Sequence, residues 1–169
     1  LWQWLENTAQ ITGADFIAIP HNSNISRGFM FPSNKRLRDT AIDIDWINQR
    51  AKWETAVEIT QVKGDSEIDP LLSPNDEFAD FEAFPHYLKE GVADYTPTKG
   101  DFIRSALLTG LKLDKQYGKN PYAFGLIGST DSHTGLATAD EGYFWGKMAS
   151  DSALADKQKS VSGIEKFGW

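Results

Sequence analysis

Apolar positions recur at helical spacing in three stretches of the chain and crowd into short runs in three others, and the two patterns alternate. Leu1, Trp4, Leu5 and Ile11 lie near the helical period and Gly13 follows at a C-cap position, so residues 1–12 are expected to form a helix. Asp15-Phe16-Ile17-Ala18-Ile19-Pro20 is a short apolar run closed by proline and reads as a buried strand. Ile42, Ile44, Trp46, Ile47, Ala51 and Trp53 predict a second helix over 40–54, and the β-branched residues of 56–62 predict a second strand. On that strand Glu58, Thr60 and Val62 share one face, because side chains alternate. Between Asp101 and Gly118 the periodic set Phe102, Ile103, Ala106, Leu107, Leu111 and Leu113 predicts a third helix, and the run 122–128 reads as a third buried strand.

Helix and strand in alternation point to parallel pairing through crossover helices, an α/β class. Three such units make half a barrel or a small doubly wound sheet. The remaining segments are connections. Residues 23–38 form a loop whose Phe29-Met30-Phe31 aromatics are expected to pack on the body. Residues 63–100, with Pro70, Pro74, Pro85 and Pro97, are too long for an idle connection and are expected to form an ordered loop whose aromatics lie on the core. The last stretch is polar and glycine-rich, with one helix expected near 150–160.

Length and composition narrow the partner. The 169 residues fit one domain, and the chain opens on Leu1-Trp2-Gln3-Trp4, in mid-element and without methionine, which reads as the C-terminal part of a longer protein. A formal net charge of −7 opposes a general nucleic-acid role, leaving a small molecule or a protein as the expected partner. With no cysteine, this segment has no disulfide framework, thiolate metal site or cysteine nucleophile. No apolar run is long enough to span a bilayer. The compartment stays open, the periplasm and the exterior included.

Candidate chemistry gathers near strand ends. In α/β folds ligands bind at the carboxyl ends of strands, so His21 after the first run, Glu58 on the second and Asp131 and His133 after the third form a candidate metal-ligand set. An Asp-x-His pair in an extended segment directs both side chains the same way, and carboxylate with imidazole suits zinc, manganese or iron. The bland alternatives are a capping aspartate, surface histidines and a strand glutamate paired to a helix. Asp65 and Glu67, just beyond the second strand, are further carboxylates, as ligands, acid–base groups or turn formers. Arg27, Lys35, Arg36 and Arg38 concentrate positive charge beside His21, with Arg27 and Arg36 the candidates for binding an anionic group. His86 has no strand to aim it and is assigned no chemistry.

The segments Ile19-Pro20-His21-Asn22, Val57-Glu58-Ile59-Thr60-Gln61, Gly64-Asp65-Ser66-Glu67, Asn75-Asp76-Glu77-Phe78 and Gly125-Leu126-Ile127-Gly128-Ser129-Thr130-Asp131-Ser132-His133-Thr134-Gly135 together resemble the bacterial domain of unknown function 3604 family. That family is similar to the polymerase and histidinol phosphatase superfamily. The resemblance implies part of a distorted (β/α) barrel that binds divalent metal (manganese, zinc or iron) and hydrolyses phosphoesters or related esters of a small anionic substrate with metal-activated water. It matches Asp131 and His133 to the superfamily's final Asp-x-His and His21 to a Pro-His after an earlier strand. Glu58 falls near another ligand position, and Glu58 or Glu67 would serve as acid–base or orienting carboxylate. The opening His-x-His pair of the superfamily is missing, so either the remaining ligands come from an upstream half of the same protein or this is a truncated version with poor metal affinity. The competing expectation is a non-catalytic binding module that kept the shape and lost the metals.

Overall fold

The computed structural model describes residues 1–87, 94–135 and 147–148, which fall in two units, Leu1–Gly128 and the segment from Ser129 onward. Helix α1 (Trp2–Thr12) stops on Gly13, whose φ of 71° is left-handed and whose N–H bonds to Ala9 O at 2.8 Å. Helix α2 (Ile44–Trp53) starts later than the apolar pattern suggests. Asp43 is its N-cap, with Oδ1 accepting from Trp46 N at 2.8 Å, and the residues before it are drawn into a Lys35–Ala41 bridge. Helix α3 (Ile103–Tyr117) ends, as expected, at Gly118. Asp101 does not open that helix; it closes a 3₁₀ turn (Lys99–Asp101) in a reciprocal capping box with Thr98.

The sheet has three strands, β1 (Ala56–Gln61), β2 (Gly64–Asp65) and β3 (Gly125–Gly128), in the order β2-β1-β3. Strands β1 and β3 are parallel, from Ala56 opposite Gly125 to Thr60 opposite Gly128, as the crossover pattern predicts. The register shifts between Glu58 and Thr60. Val57 and Glu58, on opposite faces, are both buried, Val57 in the core and Glu58 against the loop at Pro20 and Asn22. The antiparallel β1–β2 hairpin was hidden in the long connection. Among the described residues the first unit is thus a mixed α/β fold of three α-helices and one small sheet.

Two expected strands behave differently. Residues 15–20 bond through the main chain to the end of α2, Ala18 N to Trp53 O (2.8 Å), and to β1, Glu58 N to Pro20 O (3.0 Å). Pro20 has no N–H to extend a ladder, and Ile17 and Ile19 are exposed, so neither pairing nor burial completes a strand. Strand β3 exists but is exposed along its whole length, Leu126 at 46% and Ile127 at 39%, because it is an edge strand and half of it is glycine. The helix expected near 150–160 lies outside the described residues.

The core joins Phe31, Ile42, Trp46, Ile47, Val57, Ile103, Ala106, Leu113 and Tyr122, so all three kinds of segment, loop, helix and strand, contribute. Burying side chains of this size is worth about 1.5–3 kcal/mol each. Phe31 packs inward as expected, while Phe29 stays exposed. Tyr122 donates its hydroxyl hydrogen to Pro32 O at 2.6 Å, tying the loop to the segment before β3. One charge enters this core: Arg50 lies 4.9 to 5.5 Å from the rings of Tyr122, Trp46 and Phe31 and pairs with Glu54 at 2.8 Å. Trp2 Nε1 donates to Glu54 Oε1 at 2.9 Å, which fastens α1 to α2. In the long connection Phe84 packs inward, but Phe78 and Phe81 point outward, against the expectation. Successive turns, Ala79 N to Asp76 O and Phe81 N to Phe78 O, bury the small Ala79 instead.

Candidate functional site

In the second unit the Asp131-x-His133 pair is not extended. Asp131 adopts a left-handed φ of 57°, and this turn, rather than strand alternation, brings the side chains together. His133 Nε2 lies 3.6 Å from Asp131 Oδ1. Two donors bound to one zinc-like ion at tetrahedral angles are about 3.4 Å apart, close to this separation, which also suits a simple imidazole–carboxylate pair. The hydroxyls of the same turn bond within it: Ser132 Oγ and Thr134 Oγ1 are 2.8 Å apart, and Ser132 N donates to Thr130 Oγ1 at 3.2 Å. Lys147, which the sequence did not single out, places its ammonium on Asp131 Oδ2 and accepts the His133 N–H on its carbonyl at 2.8 Å. Its sequence neighbours, Tyr143-Phe144-Trp145-Gly146 and Met148, name no partner for it; only the fold brings it back over 14 positions of sequence (133 to 147).

In the first unit Glu58 is buried, not an outward strand residue. Its N–H bonds to Pro20 O at 3.0 Å and its Oε2 accepts from Asn22 N at 3.2 Å, so both neighbours of His21 are held to one residue. His21 itself is exposed at the turn between them. Asn22, left-handed at φ 55°, accepts from Gln61 Nε2 at 2.8 Å, and the buried Asn24 donates to Lys63 O at 2.8 Å. The loop carrying His21 is therefore clamped along β1 and the β1–β2 turn. Asp101 clamps its far end: Oδ1 accepts from Ser26 Oγ (2.8 Å) and Gly28 N (2.5 Å), and Oδ2 from Thr98 N (2.8 Å) and Thr98 Oγ1 (2.9 Å).

The other candidate groups are engaged within the fold. Glu67 accepts from Arg104 Nε at 2.7 Å, and Arg104 also contacts Asp76, joining the long connection to α3. Asp65 bonds Glu67 N at 2.7 Å in a turn, and burial raises its pKa above the usual carboxylate range. The Arg27 guanidinium lies 4.7 Å over the Tyr87 ring, and Arg36 pairs with Asp43 at 3.0 Å. Lys35 pairs with Asp39 at 2.7 Å, and His86 stacks edge-on to Phe84 at 5.6 Å. Among the described residues no three His, Asp or Glu side chains gather into a metal-holding group. No described helix is long and apolar enough to cross a membrane.

These observations define a mixed α/β protein with a clamped histidine loop on its sheet and, in the following unit, a carboxylate–imidazole pair 3.6 Å apart. The chain belongs to the family described as protein of unknown function (DUF3604), which matches residues 1–167. No curated protein and no solved structure matches it.

Proposed function

We propose that this chain is part of a metal-dependent hydrolase acting on phosphoester or related ester bonds of a small anionic substrate, in a barrel similar to that of the polymerase and histidinol phosphatase superfamily. The observation that carries the reading is the chelating distance between Asp131 Oδ1 and His133 Nε2. A manganese, zinc or iron ion there would supply a nucleophile at neutral pH by acidifying water and would polarise the bond attacked. Asp131 and His133 are the proposed ligands in the second unit, and His21 and Glu58 those in the first. Glu58 and Glu67 are the proposed acid–base or orienting carboxylates, with Arg27 and Arg36 to neutralise substrate charge. The barrel part of the reading is supported by the parallel β1–β3 pair and by the exposed β3 edge, onto which strands from an upstream half of the protein would continue the sheet.

The second reading is a non-catalytic binding module, favoured by Lys147, which already neutralises Asp131. Elemental analysis of the full-length protein separates the two. Stoichiometric manganese, zinc or iron, lost in an Asp131→Ala/His133→Ala variant, supports the hydrolase. A second variant, His21→Ala/Glu58→Ala, reads the first unit's share separately. Equal, negligible metal in all three proteins overturns the hydrolase and leaves the binding module.

A further inference from the structure

Lys147 touches both members of the Asp131–His133 pair. Its Nζ contacts Asp131 Oδ2 and lies 3.2 Å from the Asp131 carbonyl, while its own carbonyl accepts the His133 N–H at 2.8 Å. The lysine side chain is only 7% exposed and that of Asp131 15%, whereas His133 is 52% exposed. The two carboxylate oxygens are thus divided, Oδ1 facing imidazole and Oδ2 facing ammonium. A carboxylate withdrawn from water requires a positive partner, and here the chain supplies one itself.

We propose that Lys147 is a built-in counter-cation that competes with a divalent ion for Asp131 and so sets the affinity of the site. The proposal rests on the metal reading above and adds its control. An ammonium and a metal ion want the same lone pairs, and a fixed positive charge beside a ligand repels an arriving one. Even screened as in bulk water, that repulsion at about 5 Å corresponds to roughly a tenfold loss of affinity. Removing the charge while keeping the length of the side chain therefore tightens binding.

The test is calorimetric titration of the full-length protein with manganese and, separately, zinc, comparing wild type with Lys147→Met, Lys147→Gln and Lys147→Arg. The neutral variants are expected to bind roughly tenfold more tightly, and the arginine variant to stay near wild type. In an Asp131→Asn background the gain from Lys147→Met is expected to shrink, since competition for the carboxylate is gone and only the repulsion remains. Near-UV circular dichroism checks that each variant keeps its packing, and two neutral replacements guard against one failing to fold. Unchanged or weaker binding in both, with wild type binding metal, overturns the counter-cation role while the metal site stands. Absence of binding in every protein overturns the metal reading and this proposal with it.

Discussion

Asp101→Asn changes one atom type at a carboxylate that is 1% exposed and accepts four hydrogen bonds. The amide oxygen can keep one pair of donors, either Ser26 Oγ with Gly28 N or Thr98 N with Thr98 Oγ1. At the other position an NH₂ then faces donors. A hydroxyl rotates to accept, but a backbone N–H does not, so one part-buried N–H is left without its partner, at about 1–3 kcal/mol. The retained pair also loses its ionic character, at about 0.5–1 kcal/mol per bond. The expected total is about 3 kcal/mol, or a fall in Tm of roughly 6–12 °C for a chain of this size. Asp101→Ala, which leaves both backbone donors unmet, is expected to cost more. Urea unfolding at neutral pH, followed through tryptophan fluorescence, measures both. A loss under about 0.5 kcal/mol for the asparagine variant would refute the view that this carboxylate clamps residues 26–28 to the start of α3.

Burial raises the pKa of Glu54 above its ordinary value of 4.5, against the opposing pull of Arg50 and the Trp2 bond. The folded state therefore holds that proton more tightly than the unfolded state, a contribution present below about pH 4.5 and lost as pH rises through the folded pKa. Relative to wild type, Glu54→Gln should gain stability as pH rises from about 4.5 toward 7; urea titrations of both proteins across that range check it, and a flat or falling difference contradicts it. Gly100→Ala is expected to destabilise by about 2–3 kcal/mol in thermal unfolding. Its Cβ would lie 2.8 Å from Gly28 Cα and 2.9 Å from Gly28 C, backbone that cannot move aside without disturbing the Asp101 clamp.

What was legible in the sequence follows from which signals are local. The three helices were, because apolar period and the glycines at 13 and 118 act within one turn of the residues they affect. The start of α2 was less so, since an N-cap bond from Asp43 competes with a pattern that begins at Ile42. The run 15–20 has strand composition, yet strand formation is decided by partners across the sheet, which composition does not name. The candidate site divides the same way. Asp131 and His133 were visible as a spacing, although the turn that joins them depends on a left-handed aspartate that no pattern announces. Lys147 and the contacts of Glu58 with Pro20 and Asn22 come only from chain segments that return over long separations.

The parallel ladder between β1 and β3 also governs how the molecule acquires its shape. Residues 56 and 125 must meet across an intervening chain of about 70 positions, a closure that costs roughly 4 kcal/mol of chain entropy before any ladder bond forms. The β1–β2 hairpin closes over a handful of residues, and α3 propagates on its own, so both can precede that meeting. Strand β3 is thereby cast as the late arrival, docking onto a surface already assembled by Val57, Ile47 and Phe31. Substitutions at Leu126 or Ile127 would then speed unfolding and leave the refolding rate nearly unchanged, the kinetic signature of contacts made after the rate-limiting step.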